Sequence, residues 1–180
     1  MTQAERQHVL DEVYRILFAR YGELRCPLRH ADPYQLLVAV ILSGQCRDDR
    51  VNQVTPALFA RYPDAARMAR AKPEEIEPYI HACGLFRNKA ANLVRLSQQL
   101  IEHFEGAVPA TIEELVQLAG VGRKSANVVL GDAFGVPGFP VDTHVKRVLN
   151  RLKVTASDNP ETIEAEVNAA VPPERWTNLS

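Results

Sequence analysis

The sequence predicts an all-α fold, and three observations carry that reading. Apolar residues recur at helical spacing along nearly the whole chain. Convincing alternating strand patterns are absent. The breaks between periodic segments fall on Gly, Pro, Asp and Thr. With 46% apolar and 24% charged residues, the 180-residue chain excludes a disordered polypeptide, a collagen-like repeat and a disulfide scaffold. A chain this long buries about 70% of its unfolded surface, enough for one domain or two small interlocked ones.

Each element follows in order. Over 3–20, Val9, Leu10, Val13, Ile16, Leu17 and Phe18 form a helical stripe. Asp32-Pro33 reads as a helix start, and 36–42 is so apolar on all sides that it reads as a central, buried helix. Ser43-Gly44-Gln45 interrupts it. Val51, Val54, Leu58 and Phe59 give a helix over 48–62, closed by Tyr62-Pro63-Asp64. A short helix spans 64–70. Lys72-Pro73 opens another with Pro in its first turn, and Cys83-Gly84 closes it. Residues 88–104 form a long amphipathic helix ended by Glu105-Gly106. Thr111, with Glu114 three residues on, has the pattern of a capping box. Residues 118–122 make a tight turn. Helices follow over 125–134, 142–152 and 160–170, the first two separated by a Gly/Pro loop.

No apolar run approaches 18 residues, and no basic-then-apolar segment opens the chain, so neither a membrane span nor a secretory signal is expected. Cys26, Cys46 and Cys83 are odd in number and lack a metal-site rhythm; they read as free thiols in a reducing cytosol. The net charge of −1 hides an asymmetry. Residues 120–153 carry six basic side chains (Arg123, Lys124, Lys146, Arg147, Arg151, Lys153) against two acids, Asp132 and Asp142. Such a segment suits a local contact with a polyanion, or is an ordinary solvated helix face.

Two places carry chemistry. In Leu118-Ala119-Gly120-Val121-Gly122-Arg123-Lys124 a short helix ends, a hairpin turns on two glycines, and another helix starts. Glycines permit positive φ, and the following helix N-terminus offers uncovered N–H groups and partial positive charge, which together can hold a phosphate oxygen. The spacing is not that of a nucleotide-binding P-loop. A plain helix–helix turn explains the glycines equally well. The second place is Pro140-Val141-Asp142-Thr143-His144. Asp142 is a natural N-cap, worth ~1 kcal/mol, and one carboxylate oxygen can cap while the other serves a site.

The ordered set Leu118–Ala126, the loop Gly135-Val136-Pro137-Gly138-Phe139-Pro140, and Asp142-Thr143-His144 eighteen residues after Lys124 resembles the helix-hairpin-helix, glycine/proline-rich loop, aspartate superfamily of DNA glycosylases. Leu42-Ser43-Gly44-Gln45, Gly84-Leu85-Phe86-Arg87-Asn88-Lys89-Ala90 and Arg147-Val148-Leu149-Asn150-Arg151-Leu152 are similar to segments of its endonuclease III branch. The resemblance covers most of the chain. It implies two lobes: a six-helix, barrel-like one over 23–135 carrying the hairpin, and a second from 1–22 and 136–180, truncated at its C-terminal end.

The resemblance also implies an activity: removal of oxidised pyrimidines from DNA, followed by β-elimination at the abasic site. Lys124 would attack the sugar C1′, and Asp142 would be the essential carboxylate. Gly120, Val121, Gly122, Arg123 and His144 would contact DNA. Gln45 and Leu85 would fill or wedge the base stack, and Ser43 and Asp48 would sit near the lesion pocket. Read without the resemblance, Leu85 is a core leucine and Gln45 a helix cap. The implied partner is damaged double-stranded DNA, met by a monomer in the cytoplasm at the nucleoid.

The family's C-x6-C-x2-C-x5-C motif, which ligates a [4Fe–4S] cluster, has no counterpart before Ser180, so no cluster is expected in this chain; four thiolates are needed. A monovalent cation at the hairpin carbonyls is the one cofactor the resemblance allows. Ala119 replaces a common hairpin Pro, and Arg47 stands where the family often has a small hydroxyl residue. Ala39 occupies the place of the carboxylate used by the adenine-removing branch, which, like thymine-mismatch relatives, generally lacks the hairpin lysine. A noncatalytic hairpin module gripping DNA backbone is the alternative, with Lys124 a phosphate contact and Asp142 only a cap. A protein–protein adaptor explains neither the lysine nor the glycines.

Overall fold

The computed structural model describes residues 1–23 and 26–179, and helices are the regular structure among them, with no strand among the described residues. The chain divides into two units: one continuous, Cys26–Phe134, the other built from Met1–Arg25 and Gly135–Ser180.

Helix α1 (Gln3–Tyr21) opens on a reciprocal cap. The Thr2 hydroxyl accepts from the Glu5 N–H (3.3 Å), and the Glu5 carboxylate accepts from the Thr2 N–H (2.8 Å). Of the α1 stripe only Leu10 is fully buried.

The continuous unit is organised around α2 (Pro33–Ser43). Asp32 caps it by accepting from the Gln35 N–H at 2.8 Å, and Pro33 presets its first turn. Every residue from Leu36 to Leu42 is buried, which is what a helix apolar on all sides demands. Around it stand α3 (Asp48–Arg61), α4 (Ala65–Met68), α5 (Pro73–Ile80) with a 3-10 turn His81–Cys83, α6 (Phe86–Phe104), α7 (Ile112–Leu115) and α8 (Arg123–Phe134). Helix α2 packs on α3, α6 and α8, while α4 and α5 pack along α6. Within that core the Tyr34 hydroxyl lies 2.9 Å from Ser97 Oγ, and Ser97 donates to the Leu93 carbonyl (2.7 Å). The single Ser97 proton is thereby used, so Tyr34 is the donor between α2 and α6.

The second unit adds α9 (Thr143–Arg151), α10 (Pro160–Asn168), a 3-10 turn Pro173–Arg175 and α11 (Trp176–Leu179). Leu10, Phe139, Leu149, Ile163 and Val167 form its small core. Polar contacts dock α1 onto the C-terminal segments. Arg6 Nε donates to the Val154 carbonyl (2.8 Å) while its NH2 group pairs with Glu166 (3.3 Å). Arg175 pairs with Asp11 (2.8 Å) and lies over the Tyr14 ring.

Several boundaries and caps differ from the sequence reading, among them the start of α8 at Arg123 rather than 125 and the end of α10 at Asn168 rather than 170. Helix α6 begins at Phe86 rather than 88, because the chain turns on Gly84 and Leu85. The helix expected over 64–70 is a single turn, capped by Asp64 and finished at Met68. At Thr111 the reciprocal half of the box is missing: the hydroxyl accepts from the Glu114 N–H but donates to the Glu114 carboxylate (2.6 Å), so that carboxylate does not reach backbone. The turns after residue 170 were not anticipated. Among the described residues no helix is long and apolar enough to cross a membrane.

Candidate active site

The sequence-predicted residues fall into three groups. The first is the hairpin between α7 and α8. Leu118 and Val121 drop their side chains into the core, and the Val121 N–H closes the turn on the Leu118 carbonyl (3.1 Å). Gly120 has φ +80°, and a Cβ there would stand 2.9 Å from the Asn92 side chain, so both conformation and space require glycine. Gly122 is under neither constraint. Its φ is not positive, and nothing lies within 4 Å of the place a Cβ would take, which leaves bare backbone at the surface. Its carbonyl accepts from the Ala126 N–H (2.9 Å), opening α8. Carbonyls keep a second lone pair, so the hairpin stays compatible with a cation. Gln99 staples the turn from α6: its carbonyl oxygen accepts from the Ala119 N–H (2.8 Å) and its amide donates to the Gln117 carbonyl (3.2 Å). Arg123 and Lys124, both exposed, are the first two residues of α8, at the end of the helix that carries partial positive charge.

The second group is a pair of adjacent loops. Ser43, the last residue of α2, donates its hydroxyl to the Val40 carbonyl (2.9 Å). Gln45 follows, exposed and left-handed at φ +55°; the cap of α2 is Gly44, not Gln45. Leu85 is left-handed at φ +46° and 57% exposed, so it is not a core leucine. The loops meet where the Cβ position of Gly84 lies 3.9 Å from the Gln45 carbonyl oxygen. Beneath them Lys89 is buried, its ammonium donating to the carbonyls of Leu42 (2.8 Å) and Cys83 (2.6 Å). Burial lowers the Lys89 pKa, and burial pushes the Cys83 thiol up to about 11. Asp48 starts α3 half-buried. The neighbouring Arg47 is exposed and forks onto Asp49 (3.2 and 3.1 Å).

The third group opens α9. Asp142 is its N-cap: Oδ1 accepts from the N–H groups of His144 (2.8 Å) and Val145 (2.9 Å). His144 is exposed, and its Nδ1 lies 3.0 Å from the Arg147 guanidinium. Arginine only donates, so Nδ1 accepts. Lys146 pairs with Asp158 (3.3 Å), which neutralises part of the cationic stretch. Lys124 belongs to the continuous unit and Asp142 to the other.

These groups can be set beside known proteins. The family described as HhH-GPD superfamily base excision DNA repair protein matches residues 38–173. The chain is 48% identical over 178 residues to endonuclease III of Synechocystis sp., covering 98% of this chain and 81% of that protein. It is 46% identical over 158 residues to endonuclease III of Bacillus subtilis, covering 87% and 72%. The chain belongs to the endonuclease III family of the HhH-GPD superfamily. A solved endonuclease III, trapped as a covalent intermediate with DNA in an estranged-adenine complex, superposes with a TM-score of 0.89 at 40% identity, covering 99% of this chain and 83% of that one.

The chain has three cysteines, Cys26, Cys46 and Cys83, all in the continuous unit and all free. Among the described residues no three His, Cys, Asp or Glu side chains are grouped to hold a metal.

Sequence reasoning missed three residues of α6: Lys89, Asn92 and Gln99. Asn92 and Gln99 stand seven apart, on one helix face, and meet the hairpin. Lys89 falls at i−4 and i−7 from the buried Leu93 and Leu96, so a charge at a core-facing position was the available signal.

Proposed function

We propose that this chain removes oxidised pyrimidines and then nicks the strand, with Lys124 as the amine in both steps. The chain is a base-excision repair DNA glycosylase with AP lyase activity, and its partner is damaged DNA. The observation that carries the residue assignment is an exposed Lys124 in the first turn of α8, directly after the glycine hairpin, in a fold shared with an endonuclease III that forms a covalent DNA intermediate.

A C1′ atom inside a duplex is out of reach, so the damaged nucleotide is turned out of the stack. Exposed Gln45 and Leu85 fill the gap, Gln45 by hydrogen bonding the orphaned base and Leu85 by wedging apolar surface between bases. Gly122, with no side chain in the way, lets a phosphate approach the α8 N-terminus.

The Lys124 Nζ lone pair attacks C1′. The bond from C1′ to the base breaks, and the base leaves with the electron pair and takes up a proton. The sugar ring opens, leaving a Schiff base between Lys124 and C1′. Loss of a C2′ proton then expels the 3′ phosphate, and water hydrolyses the imine to return the amine. An ordinary lysine at pKa ~10.4 is less than ~0.1% neutral near pH 7. The helix N-terminus contributes only ~0.3–1 kcal/mol, too little to free the amine. Desolvation by bound DNA supplies more. Asp142 accepts the proton or steadies the oxocarbenium charge developing on the sugar.

Borohydride added during reaction with an abasic-site duplex is expected to trap a covalent adduct, and Lys124→Gln to abolish adduct and nicking while keeping DNA binding. A parent protein that neither nicks a thymine-glycol duplex nor traps would leave only the noncatalytic, backbone-gripping alternative.

A further inference from the structure

We infer that Lys89 is a positioning residue, a buried ammonium that clamps together the two loops presenting Gln45 and Leu85 to DNA. The inference rests on the reading of those two side chains given above.

A lysine is almost never buried without a reason, because its ammonium loses water on burial. Lys89 is 6% exposed. Among the described residues no carboxylate pairs with it; its two described partners are main-chain carbonyls, those of Leu42 and Cys83. Their positions explain the arrangement. Leu42 lies in the last turn of α2, three residues before Gln45. Cys83 ends the 3-10 turn two residues before Leu85. Carbonyls at helix ends lack intrahelical partners and carry partial negative charge, so one cation satisfies both. A hydrogen bond from a charged donor is about twice as strong as a neutral one, and in a dry site its geometry is stiff.

Each clamped carbonyl precedes a strained residue. Gln45 and Leu85 are both non-glycine and both left-handed, at φ +55° and +46°. Such a conformation costs roughly 1 kcal/mol or more at each and persists only where the surroundings over-determine it. Leu85 in turn takes the Lys89 N–H on its own carbonyl (3.0 Å), so the same residue holds that loop by main chain and by side chain. The loops also touch directly, at Gly84 and the Gln45 carbonyl. An ammonium reaching both backbones from α6 fixes the spacing of the orphan-base contact and the wedge as one unit.

The test compares one abasic strand, nicked alone and in duplex, with parent protein, Lys89→Met and Lys89→Gln, each checked for a cooperative melt. A single strand has no orphaned base to meet and no stack to open, whereas the duplex needs both side chains in place. The ratio of duplex to single-strand kcat/KM is expected to fall about tenfold in Lys89→Met, the equivalent of one charged hydrogen bond, and less in Lys89→Gln. Leu85→Ala is expected to lower the same ratio, and Lys89→Met placed on top of it to lower it little further. Equal loss on both substrates would reduce Lys89 to a fold-stabilising residue and overturn the inference, as would an unchanged ratio. If neither Lys89 variant melts cooperatively, Leu85→Ala and Gln45→Ala decide: an unchanged ratio in both leaves nothing to position. Inactivity of the parent on both substrates would instead sink the enzymatic reading itself.

Discussion

At Asp142 the observed helix cap and the proposed chemistry can be separated. Its Oδ1 caps α9 through two N–H bonds, a task asparagine performs about as well, whereas proton transfer needs the carboxylate. Asp142→Asn is therefore expected to keep the parent melting temperature and lose about a hundredfold or more in excision rate. Asp142→Ala should lose the rate and ~1 kcal/mol of stability, a split read by thermal melting beside a nicking time course. The hairpin glycines divide in a similar way. Gly120→Ala forces a left-handed alanine against Asn92 and is expected to cost ~1–2 kcal/mol in a denaturant titration. Gly122→Ala meets nothing, so its effect should appear in DNA affinity with little change in stability.

Among the elements, α2 and α6 do most to place the candidate site. One ends at the Gln45 loop; the other starts at Leu85, bears Lys89 and staples the hairpin with Gln99. Besides the Lys89 ammonium on the Leu42 carbonyl, a buried link between them is the Tyr34 hydroxyl donating to Ser97. Tyr34→Phe is expected to lower stability by about 1 kcal/mol in urea unfolding, leaving an acceptor lone pair unmet rather than a donor. These helices were legible in the sequence for different reasons. The 36–42 run had no polar face and could only be central, and Asp32, Asp64 and Thr111 announced helix starts through side chains that now accept N–H bonds. The first turn of α6 was not legible. Leu85 in a left-handed conformation has no local signature, since the strain is held by contacts distant in sequence. The hairpin and Asp142 stood out because glycine and N-cap chemistry are local. Lys89 did not, because its partners are carbonyls, which leave no mark in a sequence.

At the scale of the whole molecule, alkaline stability responds to the half-buried Cys26 thiol. Burial first of all pushes Cys26 from an ordinary 9.0 to about 11. Between those values the folded chain keeps a proton that the unfolded chain has lost, so this thiol's contribution falls as pH rises. Melting temperature in a reducing buffer is accordingly expected to decline less steeply from pH 9 to 11 in Cys26→Ser than in the parent; parallel curves would contradict the assignment.

The unit assembled from both stretches of chain, Met1–Arg25 and Gly135–Ser180, sets an order of events during translation. Helix α1 is made well before its hydrophobic partners Phe139, Leu149 and Ile163. At about 5–20 residues per second it waits roughly 6–30 s, while the intervening helices emerge and are free to condense on their own. Through that interval a nascent α1 carries Leu10, together with the apolar side chains of Ile16, Phe18 and Tyr21, in water without the core that later takes up Leu10.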